Sequence, residues 1–270
     1  MAQLRLQRIA RSNIDIGSAC GRVWIEPRYH AREELVKIGH GGVPHAVRLN
    51  TILAFNLINS IKSRKIGPLQ SRVTPFGDLV ADPVRGMFMG NRGGRIHDGA
   101  RRLTARRFAS KQWICCALDF KGRRRSVWGD SYTELFFLDE VTALAAGHRP
   151  CFECRRADAD AFADAWQRAF GQRPRAAEMD RSLHQERING RAKRIHRHDI
   201  AALADGTMIA IEGAAFAVKG GVLLRWSPAG YVERRARPLS GSVDALTPPS
   251  IVAVLANGYA PCWHPSAAAV

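Results

Sequence analysis

The chain contains no run of about 18 consecutive apolar residues, the least a helix needs to cross a bilayer. A membrane-spanning helix is therefore excluded, and a soluble, cytoplasmic protein is expected. The N-terminus, "MAQLRLQRIARSNIDIGSAC", has no acid before Asp15 and no continuous apolar core of the signal-peptide kind. Acidic residues are scarce, with 24 Asp and Glu against 41 Lys and Arg, a formal net charge of +17. An excess of that size attracts polyanions over a Debye length, which makes nucleic acid the first partner to consider. Cysteine is also sparse. Six residues at 20, 115, 116, 151, 154 and 262 are too few and too unevenly placed for a disulfide framework. In a reducing compartment such clustering points to metal or thiol chemistry. A Walker loop and a dinucleotide fingerprint are both missing, because "GNRGG" has neither the spacing nor the strand-to-helix setting. No nucleotide cofactor is expected.

What is present can fold, since 46% apolar content over 270 residues fills a core. Residues 1–72 form a poorly defined N-terminal extension, or a mis-assigned start, in which only "RLNTILAFNLINSIKS" fits an amphipathic helix. From about Val73, the punctuation by Pro75, Gly77, Pro83, Gly86 and Gly90 marks a compact unit. In "WICCALDF", Trp113 and Cys115 alternate with Ile114, Cys116, Leu118 and Phe120, which predicts a strand. Lys121-Gly122 supplies a turn, "RRRSVW" a returning partner, and "YTELFF" a further strand. "DEVTALAAG" predicts a helix with Asp139 at its N-cap and Gly147 just past its end. A second helix follows, with Phe162, Trp166 and Phe170 on one face as core and Gly171 as its stop. Beyond a polar, basic connector, "GTMIAIEG", "AAFAVKG" and "GVLLRWSPAG" read as a β-meander or small barrel, closed by a strand at "VDALT" and a helix after Pro248-Pro249. The expected class is α+β. It comprises a metal-binding module over 73–171, the connector over 172–199 and a β-rich C-terminal unit over 200–270. "VTALAAGHRPC" and "VAVLANGYAPC" echo one another, as a duplication or as two similar helix stops.

The chemistry concentrates in "RPCFEC". A Cys-x-x-Cys turn lets the sulfurs of Cys151 and Cys154 face one point, half of a tetrahedral zinc site. Cys154 stands at the start of the following helix, where the dipole together with Arg155 and Arg156 favours a thiolate. Two other readings stay open: a redox pair, which would normally follow a strand, and a turn lined by two reduced cysteines without metal.

The stretch "FFLDEVTALAAGHRPCFEC" resembles the second half of the zinc-binding domain of Ada, the adaptive-response DNA-repair proteins. The resemblance implies a small α/β module that contacts DNA phosphates, with Cys151 and Cys154 as one zinc-ligand pair. It also implies a second cysteine pair spaced by three residues, which this chain lacks; methyl transfer is not carried over. The upstream candidates are adjacent, and neighbours on a strand point to opposite faces, so one of Cys115 and Cys116 is expected to bind. Cys116 is preferred. His97 is the expected fourth ligand, with His148 as the alternative.

The expected function is zinc-stabilised nucleic-acid binding, DNA first, in repair or modification. Arg123, Arg124, Arg125, Arg102 and Arg155 would meet phosphates, and Trp113 would stack on bases. One alternative is a metal-dependent nuclease built from His97, Asp98, His184, Glu186, Arg187, His196, His198 and Asp199. Another is a basic interaction module without chemistry.

Overall fold

A computed structural model describes residues 67–123 and 126–270, so nearly all of the expected extension lies outside the described residues. In chain order the elements are β1 (Arg72–Val73), β2 (Leu79–Val80), β3 (Phe88–Arg92), β4 (Trp113–Cys116), β5 (Leu135–Phe137), α1 (Glu140–Ala145) and β6 (Arg149–Pro150). Then come α2 (Arg156–Phe170), α3 (Ala176–Arg187), the hairpin β7 (Ile188–Asn189) and β8 (Ala192–Lys193), and β9 (His196–Asp199). The chain finishes with β10 (Met208–Ile211), β11 (Ala214–Lys219), β12 (Val222–Ser227), β13 (Gly230–Ala236), β14 (Ser242–Ala245), α4 (Pro249–Ala256) and α5 (Ser266–Ala269). This is an α+β fold with a β-rich C-terminal part. The first six strands make a mixed sheet in the order β2-β1-β5-β3-β4-β6. The second sheet, β13-β12-β11-β10-β14-β9, is antiparallel and begins as the expected meander. Among the described residues, no helix is long and apolar enough to cross a membrane.

Helix α1 is six residues long and every one is buried. An isolated helix of that length is unstable in water, so packing must hold it. Ala143 joins Val73, Leu135 and Phe137 of the first sheet, whereas Val141 and Ala145 join Met208, Ala217 and Leu224 of the second. Leu144 meets Phe162, Met179 and Ile251 of the neighbouring helices. The Asp139 cap is itself buried: Oδ1 accepts from the backbone N–H (2.8 Å) and hydroxyl (2.7 Å) of Thr142. Its Oδ2 accepts from Tyr231 OH at 2.8 Å and the His264 N–H at 3.1 Å. One side chain thus caps the helix and ties it to both the second sheet and the C-terminal segment. The helix ends at Gly147, with φ of +86°, where a Cβ would sit 2.7 Å from Arg187 Cβ. The two echoing phrases close by the same pair of bonds, Gly147 to Leu144 and His148 to Ala143, then Gly258 to Leu255 and Tyr259 to Val254. Their likeness is that of two helix stops.

Three local expectations differ from the structure. The segment read as a connector carries α3, whose Met179 and Leu183 are buried in one cluster with α2 and α4. Two apolar side chains four apart suffice there because neighbouring helices supply the rest of the core. The returning strand at "RRRSVW" is absent over Ser126–Trp128, where Trp128 takes φ of +57°; Arg124 and Arg125 lie outside the described residues. Phe170 is 50% exposed and packs along Trp166, with ring centroids 5.2 Å apart.

Candidate metal centre

Strands β4 and β6 are parallel, with Ile114 opposite Arg149 and Cys115 opposite Pro150. Continuing that register by one residue sets Cys116 beside Cys151. The Cys151 N–H donates to the Cys115 carbonyl at 3.0 Å, which locks the alignment. The pleat then sends neighbouring side chains to opposite faces. Cys115 enters the core with Leu135 and Phe137, while Cys116 faces the cysteine turn. That turn closes through the Arg155 N–H donating to the Cys151 carbonyl at 3.0 Å, bringing Cys154 back over Cys151. The sulfurs of Cys116, Cys151 and Cys154 all lie within 4.8 Å of one another, the one such convergence of three or more metal-ligating groups among the described residues.

The three side chains hydrogen-bond to one another. Hydrogen bonds from the Cys116 and Cys154 thiols push the Cys151 pKa down, to about 2, and donating such a bond pushes Cys116 up. The Glu153 N–H also points at Cys151 Sγ, at 3.4 Å. Three soft sulfurs around one point suit a soft, thiolate-binding metal ion and not a hard ion such as magnesium.

Arg155, directly after Cys154, holds the turn from behind. Its side chain and that of Glu140 are each 1% exposed and pair at 2.9 Å. Glu140 further accepts from Tyr259 OH at 2.6 Å and the Cys262 N–H at 2.9 Å. The guanidinium also reaches Asp158 (2.9 Å) and Cys115 Sγ (3.4 Å) and lies 4.4 Å over the Phe88 ring. Arg155 is therefore spoken for inside the protein and does not meet phosphate at the surface.

The cysteine trio lines a cavity of about 390 Å³ whose walls include Met89, Ile114, Leu118, Val127 and Phe136. Its polar lining comprises Asn91, Tyr132, Glu134, Arg123 and Glu153. Glu134 is 3% exposed; its Oε2 accepts from the Trp128 N–H at 2.7 Å and its carbonyl from the Trp128 indole at 2.8 Å. Its Oε1 has no hydrogen-bond partner. Arg123, 46% exposed as a side chain, pairs with Glu153 at 2.8 Å beside the cavity. Glu134 and Asn91 were missed in the sequence, where no spacing rule links them to the cysteines.

The remaining expected residues lie elsewhere. Both ring nitrogens of His97 are engaged, Nδ1 with Thr133 Oγ1 at 2.6 Å and Nε2 with the Gly129 carbonyl at 3.0 Å, and the ring stacks on Trp128. His97 thus stands behind the Trp128–Glu134 wall, apart from the sulfurs. His148 is fully buried against Trp113 and Phe137. Arg102 is exposed and pairs with Asp98 at 3.3 Å. The acids and histidines considered for a nuclease do not converge: Glu186 accepts from Ser250, Asp199 caps the turn at Ala201, and His196 bonds the Glu186 carbonyl.

Trp113, expected to stack on bases, is 1% exposed. The guanidinium carbons of Arg92 and Arg187 lie 4.2 and 4.0 Å from its ring centroid, and both arginines bond carbonyls, Arg92 at Gly77 and Arg187 at Gly147. Lys193, half-buried as a residue, carries its ammonium inward to the Ala145 carbonyl. Burial, then the charges of Arg92 and Arg187, push its pKa from 10.5 down to about 7. Between those values the unfolded chain holds a proton that the folded chain does not, so stability rises with pH. Thermal melts from pH 7 to pH 10 should show Tm climbing, and Lys193→Met should flatten the climb; an equal slope in the variant would clear Lys193 of the effect.

No family model, curated protein or solved structure matches the chain.

Proposed function

We propose that the protein binds one zinc ion through Cys116, Cys151 and Cys154 and engages nucleic acid, DNA first, with its exposed basic residues. The observation that carries the metal reading is the convergence of the three sulfurs. Three protein ligands leave one position of a tetrahedral ion for water or a ligand, and the adjoining cavity gives that position access. The nucleic-acid reading is supported by the net charge of +17 and by the exposure of Arg95, Arg101, Arg102, Arg106, Lys111, Lys121 and Arg123. The resemblance of residues 136–154 to the Ada zinc domain points the same way, toward repair or modification of DNA.

Elemental analysis should find one zinc per chain, lost in a Cys151→Ser/Cys154→Ser double variant. Fluorescence anisotropy with single- and double-stranded oligonucleotides should show binding that weakens steeply with salt. Arg123→Glu should weaken it and reduce the log–log salt slope by about 1. Absence of metal after purification with zinc would remove the first half of the proposal, and salt-independent or undetectable binding the second.

A further inference from the structure

Resting on the nucleic-acid reading above, we infer that the cavity beside the cysteine trio receives a single unpaired nucleobase, with Glu134 and Asn91 reading its hydrogen-bonding edge. The volume of about 390 Å³ falls in the range of small-ligand sites. Its walls are apolar side chains, among them Met89, Ile114 and Phe136, suited to the two faces of a flat ring. A buried carboxyl oxygen without a partner is rare in a finished structure and calls for a donor. Glu134 Oε1 is such an oxygen, on a side chain 3% exposed, while Oε2 is pinned by the Trp128 N–H. Asn91, 8% exposed, accepts the Gly93 N–H at 2.9 Å through Oδ1, which leaves its NH₂ as a donor. An acceptor and a donor in one lined cavity match the adjacent N–H donor and acceptor that every nucleobase presents on its pairing edge.

The backbone holds this acceptor deliberately. Trp128 occupies φ of +57°, costly for a bulky residue, and is kept there by two bonds to Glu134, its N–H to the carboxyl and its indole to the carbonyl. His97 stacks on the same indole at 5.3 Å and bonds Thr133, the residue before Glu134. His97 is therefore a positioning residue for the acceptor. Arg123 lies beside the cavity, where the phosphate next to an extruded base would arrive.

The test uses the full chain purified with zinc and a short single-stranded DNA carrying one 2-aminopurine, whose emission reports transfer of that base from the stack into a protein site. Binding of the wild-type protein should change the emission. Glu134→Gln keeps an acceptor for the Trp128 N–H but can turn the unpartnered oxygen into a donor; it should lower affinity roughly tenfold and abolish the emission change. Val127→Trp fills the cavity from a residue 36% exposed while leaving the Glu134 side chain itself unchanged, and should abolish the change independently of any effect of E134Q on folding. If the DNA binds while emission stays that of the free strand, or if Val127→Trp retains the change, the base-pocket inference is overturned and nucleic-acid binding stands. If no DNA binds at all, both fall together.

Discussion

Glu140→Ala should destabilise the protein by about 3 kcal/mol in urea unfolding, because it removes the fully buried counter-charge of Arg155 and leaves only Asp158, at the edge of the core, to pair with the guanidinium. Both side chains are 1% exposed, so solvent cannot take over the pairing. Tyr259 OH and the Cys262 N–H would lose their acceptor at the same time. Arg155→Met in the same chain should recover part of the loss, since two apolar groups in place of a buried pair are tolerated far better than one orphaned charge. A double-mutant cycle would give a coupling energy well above the few tenths of a kcal/mol expected of independent sites. As a contrast, Asp160→Ala breaks a pair with Arg173 in which both partners are more than 40% exposed, and should change stability by less than about 1 kcal/mol. Equal costs for the two variants would show that burial does not set the strength of the Arg155 pair.

Cys116→Ala and Cys115→Ala should behave as opposites, although the residues are adjacent. Removal of Cys116 takes one of three converging sulfurs; the variant should purify without zinc and should not gain stability when zinc is added. The wild-type chain, with free zinc at about 100 times its dissociation constant, should be stabilised by about 2.7 kcal/mol, visible as a Tm that falls on chelation. Cys115→Ala should retain zinc and its chelator response, with a uniform cost of about 1 kcal/mol for one buried sulfur lost from the core. Burial already pushes the Cys115 thiol pKa up, which disfavours the thiolate a metal requires. Loss of zinc in both variants would mean that the strand pleat does not separate their roles.

Much of this organisation is legible in residue order. The strand at Trp113–Cys116, the helix capped by Asp139, the Gly171 stop and the meander of the second sheet all follow from local alternation, capping chemistry and glycine punctuation. Alternation on a strand likewise separates the roles of the adjacent Cys115 and Cys116, so that only one of them can face the cysteine turn. The α3 helix was hidden because only Met179 and Leu183 mark its buried face among polar residues, too weak a period to stand out. Trp113 and Arg155 misled for a related reason. Their types suit a nucleic-acid surface equally well, and only the neighbours Arg92, Arg187 and Glu140 show that they serve the interior.

Residue order by itself determined the α+β class, the basic character and the cysteine turn, because composition and nearest-neighbour periodicity act over a few residues. The parallel pairing of β4 with β6, the burial of α1 between two sheets and the seating of Glu134 and Asn91 in one cavity with the sulfurs were decided only in three dimensions. Each depends on contacts between segments far apart in the chain, which no local pattern records until the sheets have packed.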